Sequence, residues 1–145
     1  TVGGGVMRSL KDADSYTVLD VGGDYIGARA IGGYAPLLNR EDTEVFYIIN
    51  PFRPWSTTPE RASLVLSEVL GVSHIRPERI RLVGNPNLGG TTTAEDVLEG
   101  YRRLTELVEK LDVLCVERSL CEAVQERVPV PVFPIDRYLE YQWNL

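Results

Sequence analysis

The sequence lacks any apolar run near the roughly 18 residues that a membrane-spanning helix needs. We therefore expect a soluble protein without a membrane span. It also lacks a basic stretch, since its arginines are interspersed with acids, and its formal net charge is −6. A chain of this charge is a poor ligand for a phosphate backbone, so nucleic acid is not an expected partner.

Cysteine and histidine are scarce, with two cysteines and one histidine. Cys115 and Cys121 are spaced unlike the CxC or CxxC motifs of metal sites, and two thiols in a predicted strand and helix suit a reducing compartment. The sole histidine, His74, has no nucleophile with a sequence signature nearby, so no hydrolase triad is predicted. Residues 1–6 are too short and glycine-rich for a signal peptide, and we expect a cytoplasmic protein.

Lysine is equally rare, because Lys11 and Lys110 are the only two and neither follows a glycine. The phosphate-binding pattern GxxxxGK[ST] requires a lysine directly after its second glycine. The glycines at positions 3–5 follow no strand and precede no lysine, which indicates a flexible start. The 145 residues of the sequence therefore do not contain a complete nucleotide-phosphate site.

Short apolar runs alternate along the chain with segments of helical periodicity. Gly32 and Gly33 weaken the first helix and permit a kink or close packing, while Thr58-Pro59 and Thr93 begin later helices, and Gly71 is expected to end one. The order predicts a single α/β domain over residues 1–145, three-layer α/β/α with a mostly parallel sheet. The predicted strands are 16–21, 45–49, 80–83, 113–116 and 130–133, and the helices follow them at 25–38, 59–70, 94–110, 119–127 and 136–143.

Candidate ligand-binding residues follow the strands, because open α/β sheets bind ligands beyond the carboxyl ends of their strands. Asp20 ends the first predicted strand, and Gly22 and Gly23 come next. A carboxylate there can hold a Mg²⁺-bound water, and glycine N–H groups can approach a terminal phosphate. The alternative is an aspartate that only caps the following turn. Arg53 and Trp55, after the second strand, form either a partner contact or an ordinary exposed loop.

Three segments, DVGGDYIGARAIGGY, FYIINPFRPWSTTPE and VGNPNLGGTTTAEDVLEG, together resemble the later portion of a MinD/ParA-type P-loop ATPase. This class shares its nucleotide-binding domain with cobyrinic acid a,c-diamide synthase, and the resemblance spans nearly all of the chain. It implies a P-loop NTPase-like fold with ATP and Mg²⁺ as cofactors. Asp20 would be the Walker B carboxylate that supports Mg²⁺ through water, with Gly22 and Gly23 at the γ-phosphate.

The same resemblance implies an adenine site made by Asn85, Pro134 and Asp136. In that family the P-loop precedes the Walker B strand, so we expect a carboxyl-terminal portion of a longer ATPase, inactive alone because the P-loop lysine and Mg²⁺-binding hydroxyl are missing. An exposed sheet edge predicts a homodimer or higher oligomer.

Two other functions fit the sequence. One is a non-enzymatic α/β interaction module that kept the scaffold without nucleotide binding. The other is a different doubly wound domain that binds another small ligand, in which Asp20 and Asn85 serve only as turn formers. A ligand bound away from these two residues would favour the second.

Overall fold

The computed structural model describes residues 4–12 and 14–138. Its four strands form one sheet in the order β1-β2-β3-β4, and β3 pairs in parallel with both β2 and β4. The predicted α/β fold with a parallel sheet is confirmed. The elements are α1 Gly4–Lys11, α2 Tyr25–Ile31, α3 Ala35–Leu38, β1 Val45–Ile49, α4 Pro59–Ser73, β2 Ile80–Gly84, α5 Ala94–Leu107, β3 Val113–Glu117, α6 Cys121–Gln125 and β4 Val132–Ile135.

The contacts divide the chain into two compact units. Unit 1 comprises Thr1–Tyr47 and Glu60–Arg81, and unit 2 comprises Ile48–Pro59 and Leu82–Leu145. Each unit has buried apolar side chains of its own, so each is described by itself.

A helix that the sequence did not predict packs against the core of unit 1. Residues 4–11 form α1, so the flexible start expected at positions 3–5 is wrong for Gly4 and Gly5. Val6, Met7 and Leu10 lie on one face of the helix and pack, partly buried, against a cluster of buried residues that comprises Tyr34, Leu38 and Ile75. Burial of this apolar face outweighs the low helix propensity of the two glycines at its beginning.

The predicted helix over residues 25–38 is confirmed in two pieces, α2 and α3, with a 3₁₀ turn at Gly32–Tyr34 between them. Asp24 caps α2, since its Oδ1 accepts a hydrogen bond from the Gly27 amide at 2.8 Å. Gly32 serves close packing as well as the kink, because a Cβ at this position would lie 2.5 Å from the Val72 carbonyl oxygen. The predicted kink is therefore present at the glycine pair, and the predicted close packing is present at Gly32.

The predicted first strand, residues 16–21, is wrong. The segment is irregular, and the Tyr16 and Val18 side chains are 105% and 92% exposed. A β-branched run becomes a strand only where a neighbour pairs with it and its faces are covered, and this segment has no pairing neighbour among the described residues. Asp20 therefore does not stand at a strand end.

The predicted end of the second long helix at Gly71 is also wrong. α4 runs to Ser73 and is followed by His74, which has a left-handed φ of 56°. The Asn39 side chain holds this turn, donating to the His74 carbonyl at 2.9 Å and accepting from the Arg76 amide at 2.9 Å. A glycine lowers helix stability by only about 1 kcal/mol, which these contacts offset.

The edge strand β4 lies two residues later than predicted, at Val132–Ile135. Its first amide, on Val132, donates to the Gln125 side chain at 2.9 Å, and the Pro131 carbonyl accepts from the Leu114 amide at 2.9 Å. Pro134 lies inside the strand, which an edge position tolerates. Residues 136–138 are not helical, and the rest of the predicted last helix lies outside the described residues.

Unit 2 has a core of side chains from α5, α6 and β3. Leu104, Leu114 and Val124 are fully buried. Gly84 allows this close packing, since a Cβ there would lie 2.6 Å from Cδ1 of Leu104. The predicted capping box of α5 is confirmed, because Thr93 and Asp96 exchange side-chain and backbone hydrogen bonds.

Leu104→Ala tests whether this contact stabilises unit 2. We expect the free energy of unfolding to fall by about 2–5 kcal/mol, because the change removes buried methyl groups and leaves a cavity beside Gly84. Leu64→Ala is the control, since Leu64 is 59% exposed and its truncation should change stability by at most about 0.5 kcal/mol. Urea unfolding followed by circular dichroism measures both, and equal effects would contradict the assigned core.

Candidate functional site

The carboxyl edge of the sheet in unit 2 gathers polar residues from three consecutive strands. Asn85 follows β2, Arg118 follows β3 and Asp136 follows β4. The pairing of β3 with β2 and with β4 is parallel, so these strand ends lie along one edge. Two of the three residues, Asn85 and Asp136, belong to the predicted adenine site.

Arg118 and Asp136 form a two-point ion pair between the ends of β3 and β4. Nε of Arg118 lies 2.8 Å from Oδ1 of Asp136, and its Nη2 lies 2.6 Å from Oδ2. The guanidinium holds the pKa of the Asp136 carboxyl below its ordinary value. Because both side chains are solvent-exposed, the pair stabilises the fold little, but it fixes where the carboxylate stands.

The loop between β2 and α5 is held by its own side chains. Oδ1 of Asn87 accepts from the Gly89 amide at 2.6 Å, and the Thr92 hydroxyl donates to the Gly89 carbonyl at 2.6 Å. Gly89 has a φ of 92°, a conformation that favours glycine. The predicted turn chemistry of this loop is confirmed, and it leaves the loop with a defined shape beside Asn85.

Arg137 brings the segment after β4 against this loop. A Cβ on Gly90 would lie 2.6 Å from Nη1 of Arg137, so the guanidinium occupies the space that the glycine leaves. Pro134, expected in a loop after the last strand, instead lies within β4 opposite Val116. Asn85, Pro134 and Asp136 thus all belong to the carboxyl half of one sheet.

Asn85 has the most unusual polar group of this edge. Its backbone N–H donates to the Ile49 carbonyl at 2.8 Å. Its side-chain Oδ1, in contrast, is buried and has no hydrogen-bond partner among the described residues. A buried acceptor without a donor costs about 1–3 kcal/mol. Asn50, which also ends a strand and precedes a proline, is fully engaged by the Phe52 amide and the Asn87 carbonyl.

The predicted phosphate residues Asp20, Gly22 and Gly23 lie in unit 1. Asp20 is exposed in an irregular segment, and the turn is capped by Asp24 instead. Within residues 4–12 and 14–138, no three His, Cys, Asp or Glu side chains are grouped as metal ligands would be. The roles of Asp20 with Mg²⁺ and of the two glycines with phosphate remain predictions.

Cys115 and Cys121 are free thiols. Burial raises the pKa of both, chiefly by desolvation of the thiolate. A thiol with a raised pKa is a poor nucleophile near neutral pH. Cysteine chemistry is therefore no part of the candidate site.

The sequence could not indicate two residues of this edge, Arg118 and Arg137. Their positions follow from the strand ends, but their partners, Asp136 and Gly90, depend on the order of the strands in the sheet. Asn-Pro after a strand occurs twice, and only the hydrogen-bond partners of the side chains distinguish Asn85 from Asn50.

Comparison with protein-family models, with curated proteins and with solved structures gives no match to this chain. None of the helices in the part of the chain that the structure describes has both the length and the apolar character to cross a membrane. The resemblance of the three sequence segments to MinD/ParA-type ATPases thus rests on their motifs.

Arg118→Met tests the origin of the lowered pKa of Asp136. Removing the guanidinium removes both hydrogen bonds and the favourable charge, so we expect the pKa of Asp136 to rise towards its ordinary carboxyl value. Carbon-detected NMR titration of the carboxyl group measures it. Arg137→Met is the control and should leave this pKa unchanged, whereas an unchanged pKa in Arg118→Met would contradict the assigned pair.

Proposed function

We propose that this chain is the adenine-binding part of an ATP-binding protein of the MinD/ParA-like class. Its support is the resemblance of the three sequence segments together with the parallel sheet and the polar residues at its carboxyl edge. In this proposal the sheet belongs to a three-layer, P-loop NTPase-like domain that works in the cytoplasm as a homodimer.

The observation that carries the proposal is the buried, unpartnered Oδ1 of Asn85. A buried carbonyl oxygen requires an N–H or O–H donor, and the exocyclic amino group of adenine is such a donor. The same side-chain amide carries two N–H groups, which can donate to a ring nitrogen of the base. The base would reach this acceptor by displacing the groups that cover it, and binding would then return part of the burial cost as affinity.

The triphosphate side of the proposal rests on sequence alone. Asp20 would support Mg²⁺ through a water, and Gly22 and Gly23 would approach the γ-phosphate. A lysine-bearing phosphate loop does not occur in the 145 residues, so they lack most of the charge stabilisation for phosphoryl transfer. We therefore assign base recognition to this chain and no ATP hydrolysis by itself.

A second candidate function is a non-enzymatic interaction module. Unit 2 exposes five large apolar side chains, among them Ile48 at 61% and Phe133 at 58%. Exposed apolar surface of this kind marks contacts between proteins where it is contiguous. The other three are Trp55, Leu88 and Tyr138.

Asn85→Leu separates a ligand-binding role from a structural role. Leucine has a similar shape without polar atoms, so it removes the orphan acceptor and should preserve or raise the thermal midpoint. We expect the same change to weaken adenosine binding about tenfold or more, because the donor on the base loses its acceptor. Displacement of a fluorescent ATP analogue by adenosine measures the affinity, and differential scanning fluorimetry measures stability.

Three controls define the outcome of this titration. Thr91→Ala changes an exposed residue of the same loop and should bind adenosine like the unaltered chain. Inorganic triphosphate should compete poorly with the analogue, and Asp20→Ala should affect only Mg²⁺-dependent binding. Unchanged adenosine affinity in Asn85→Leu would contradict base recognition by Asn85, and no nucleotide binding at all would favour the interaction module.

A further inference from the structure

Unit 2 contains a cleft of about 320 Å³, and none of the predicted site residues lines it. It lies between the segment after β1 and the second half of α5. Pro51, Pro59 and Leu107 form apolar walls, and Arg102, Arg103 and Glu106 line the rest together with two hydroxyl residues. This volume is at the lower end of the range for small-molecule sites, which combine apolar walls with a few oriented polar groups.

Arg103 is the oriented polar group of the cleft. Its guanidinium lies over the Phe52 ring, 5.3 Å from the centroid, and its Nε lies 2.9 Å from Oε1 of Glu99. Among residues 4–12 and 14–138, nothing accepts a hydrogen bond from either of its Nη atoms. The side chain is thus fixed while its two terminal nitrogens keep free donors.

The neighbouring Arg102 differs in this respect. Its Nε and Nη2 bind Glu99, and its Nη1 binds Glu106 at 2.5 Å. All three nitrogens therefore have carboxylate partners, so Arg102 balances charge in the cleft and has less capacity for a ligand.

The Phe52 ring, on which Arg103 stacks, is positioned by a backbone hydrogen bond and by a glycine of α5. The Phe52 amide donates to Oδ1 of Asn50 at 3.0 Å, which fixes the position of the residue. Gly100 of α5 makes room for the ring, because a Cβ there would lie 3.1 Å from Cζ of Phe52. The stacked arrangement of Arg103 on Phe52 consequently depends on a glycine in the middle of a helix.

The two hydroxyl groups that line the cleft donate to backbone carbonyls of the same segment. Ser56 donates to the Asn50 carbonyl at 2.6 Å, and Thr57 donates to the Pro54 carbonyl at 3.1 Å. Their donors are therefore engaged, and Arg103 supplies the donors that a ligand would meet.

The charges around the cleft disfavour a ligand with more than one negative charge. Arg102 and Arg103 face Glu99 and Glu106, so the four charges balance. Glu99 is ionised at neutral pH, and hydrogen bonds from both arginines lower its pKa further, to about 2. With no excess positive charge, the cleft attracts an anion only by direct contact with the Nη atoms, and a dianion would be poorly compensated.

We propose that this cleft binds a small organic monocarboxylate with an apolar body. The carboxylate accepts two hydrogen bonds from Nη1 and Nη2 of Arg103, the bidentate geometry that a guanidinium provides. The apolar body packs on Pro51, Pro59 and Leu107. This site is independent of the proposed nucleotide function, since Asn85, Pro134 and Asp136 do not line it.

The test compares two probes of equal shape, 4-fluorophenylacetate and its neutral amide, by fluorine NMR titration. We expect the carboxylate to bind about tenfold more tightly than the amide, as for a hydrogen bond to a charged group. Arg103→Met should abolish this preference. Arg127→Met is the matched control, because Arg127 is also an exposed arginine paired with a glutamate, and it should keep the preference.

Three further measurements make the result decisive. Changes in the backbone amide shifts of Ser56 and Thr57 should show that 4-fluorophenylacetate binds in this cleft, and Asn85→Leu should leave its affinity unchanged. If Arg103→Met fails to fold, Arg103→Lys replaces it and should also lose most of the preference, since an ammonium cannot donate in the same bidentate way. Equal binding of acid and amide, binding of neither, or a preference that survives loss of Arg103 would overturn the proposal.

Discussion

The seating of α5 on the sheet is the contact on which the rest of unit 2 depends. Leu104 is fully buried against the space that Gly84 leaves, and Gly100, one helical turn earlier, faces Pro86 and Phe52. Glycine at both points allows the helix and the loops after β1 and β2 to approach within distances that a Cβ would forbid. Burial, rather than any ion pair, therefore sets the position of the carboxyl edge.

The polar groups of this edge are arranged on that packed base. The ion pair between Arg118 and Asp136 is exposed and adds little to stability, yet it fixes a carboxylate beside the end of β3. Asn85 is the exception, since its Oδ1 is buried without a partner. Arg118 and Asp136 satisfy each other, whereas Oδ1 of Asn85 is an acceptor that a ligand could satisfy. For this reason Asn85 is the centre of the proposed function.

The sequence predicted those parts of the fold that follow from local chemistry. The strand at 45–49, the Pro59 helix start and the capping box of Thr93 depend on neighbouring residues and agree with the structure. It failed where tertiary contacts decide. Residues 16–21 have strand propensity but no pairing neighbour, and α1 has weak propensity but packs on a core.

The candidate site, too, could be predicted from the sequence only in part. That Asn85 and Asp136 follow strands could be read from the alternation of strands and helices, because parallel strands end at one edge. The partner of Asp136 and the different surroundings of Asn85 and Asn50 could not, since they depend on strand order and on burial. The cleft at Arg103 could not be predicted from the sequence either, because it is lined by residues about fifty positions apart in the chain.

A crystal structure of the chain with adenosine would show whether Asn85 recognises an adenine base. We expect the exocyclic amino group to donate to Oδ1 of Asn85 at about 3 Å, the usual length of an N–H···O hydrogen bond. Adenosine bound elsewhere, with Oδ1 of Asn85 satisfied by water instead, would contradict it.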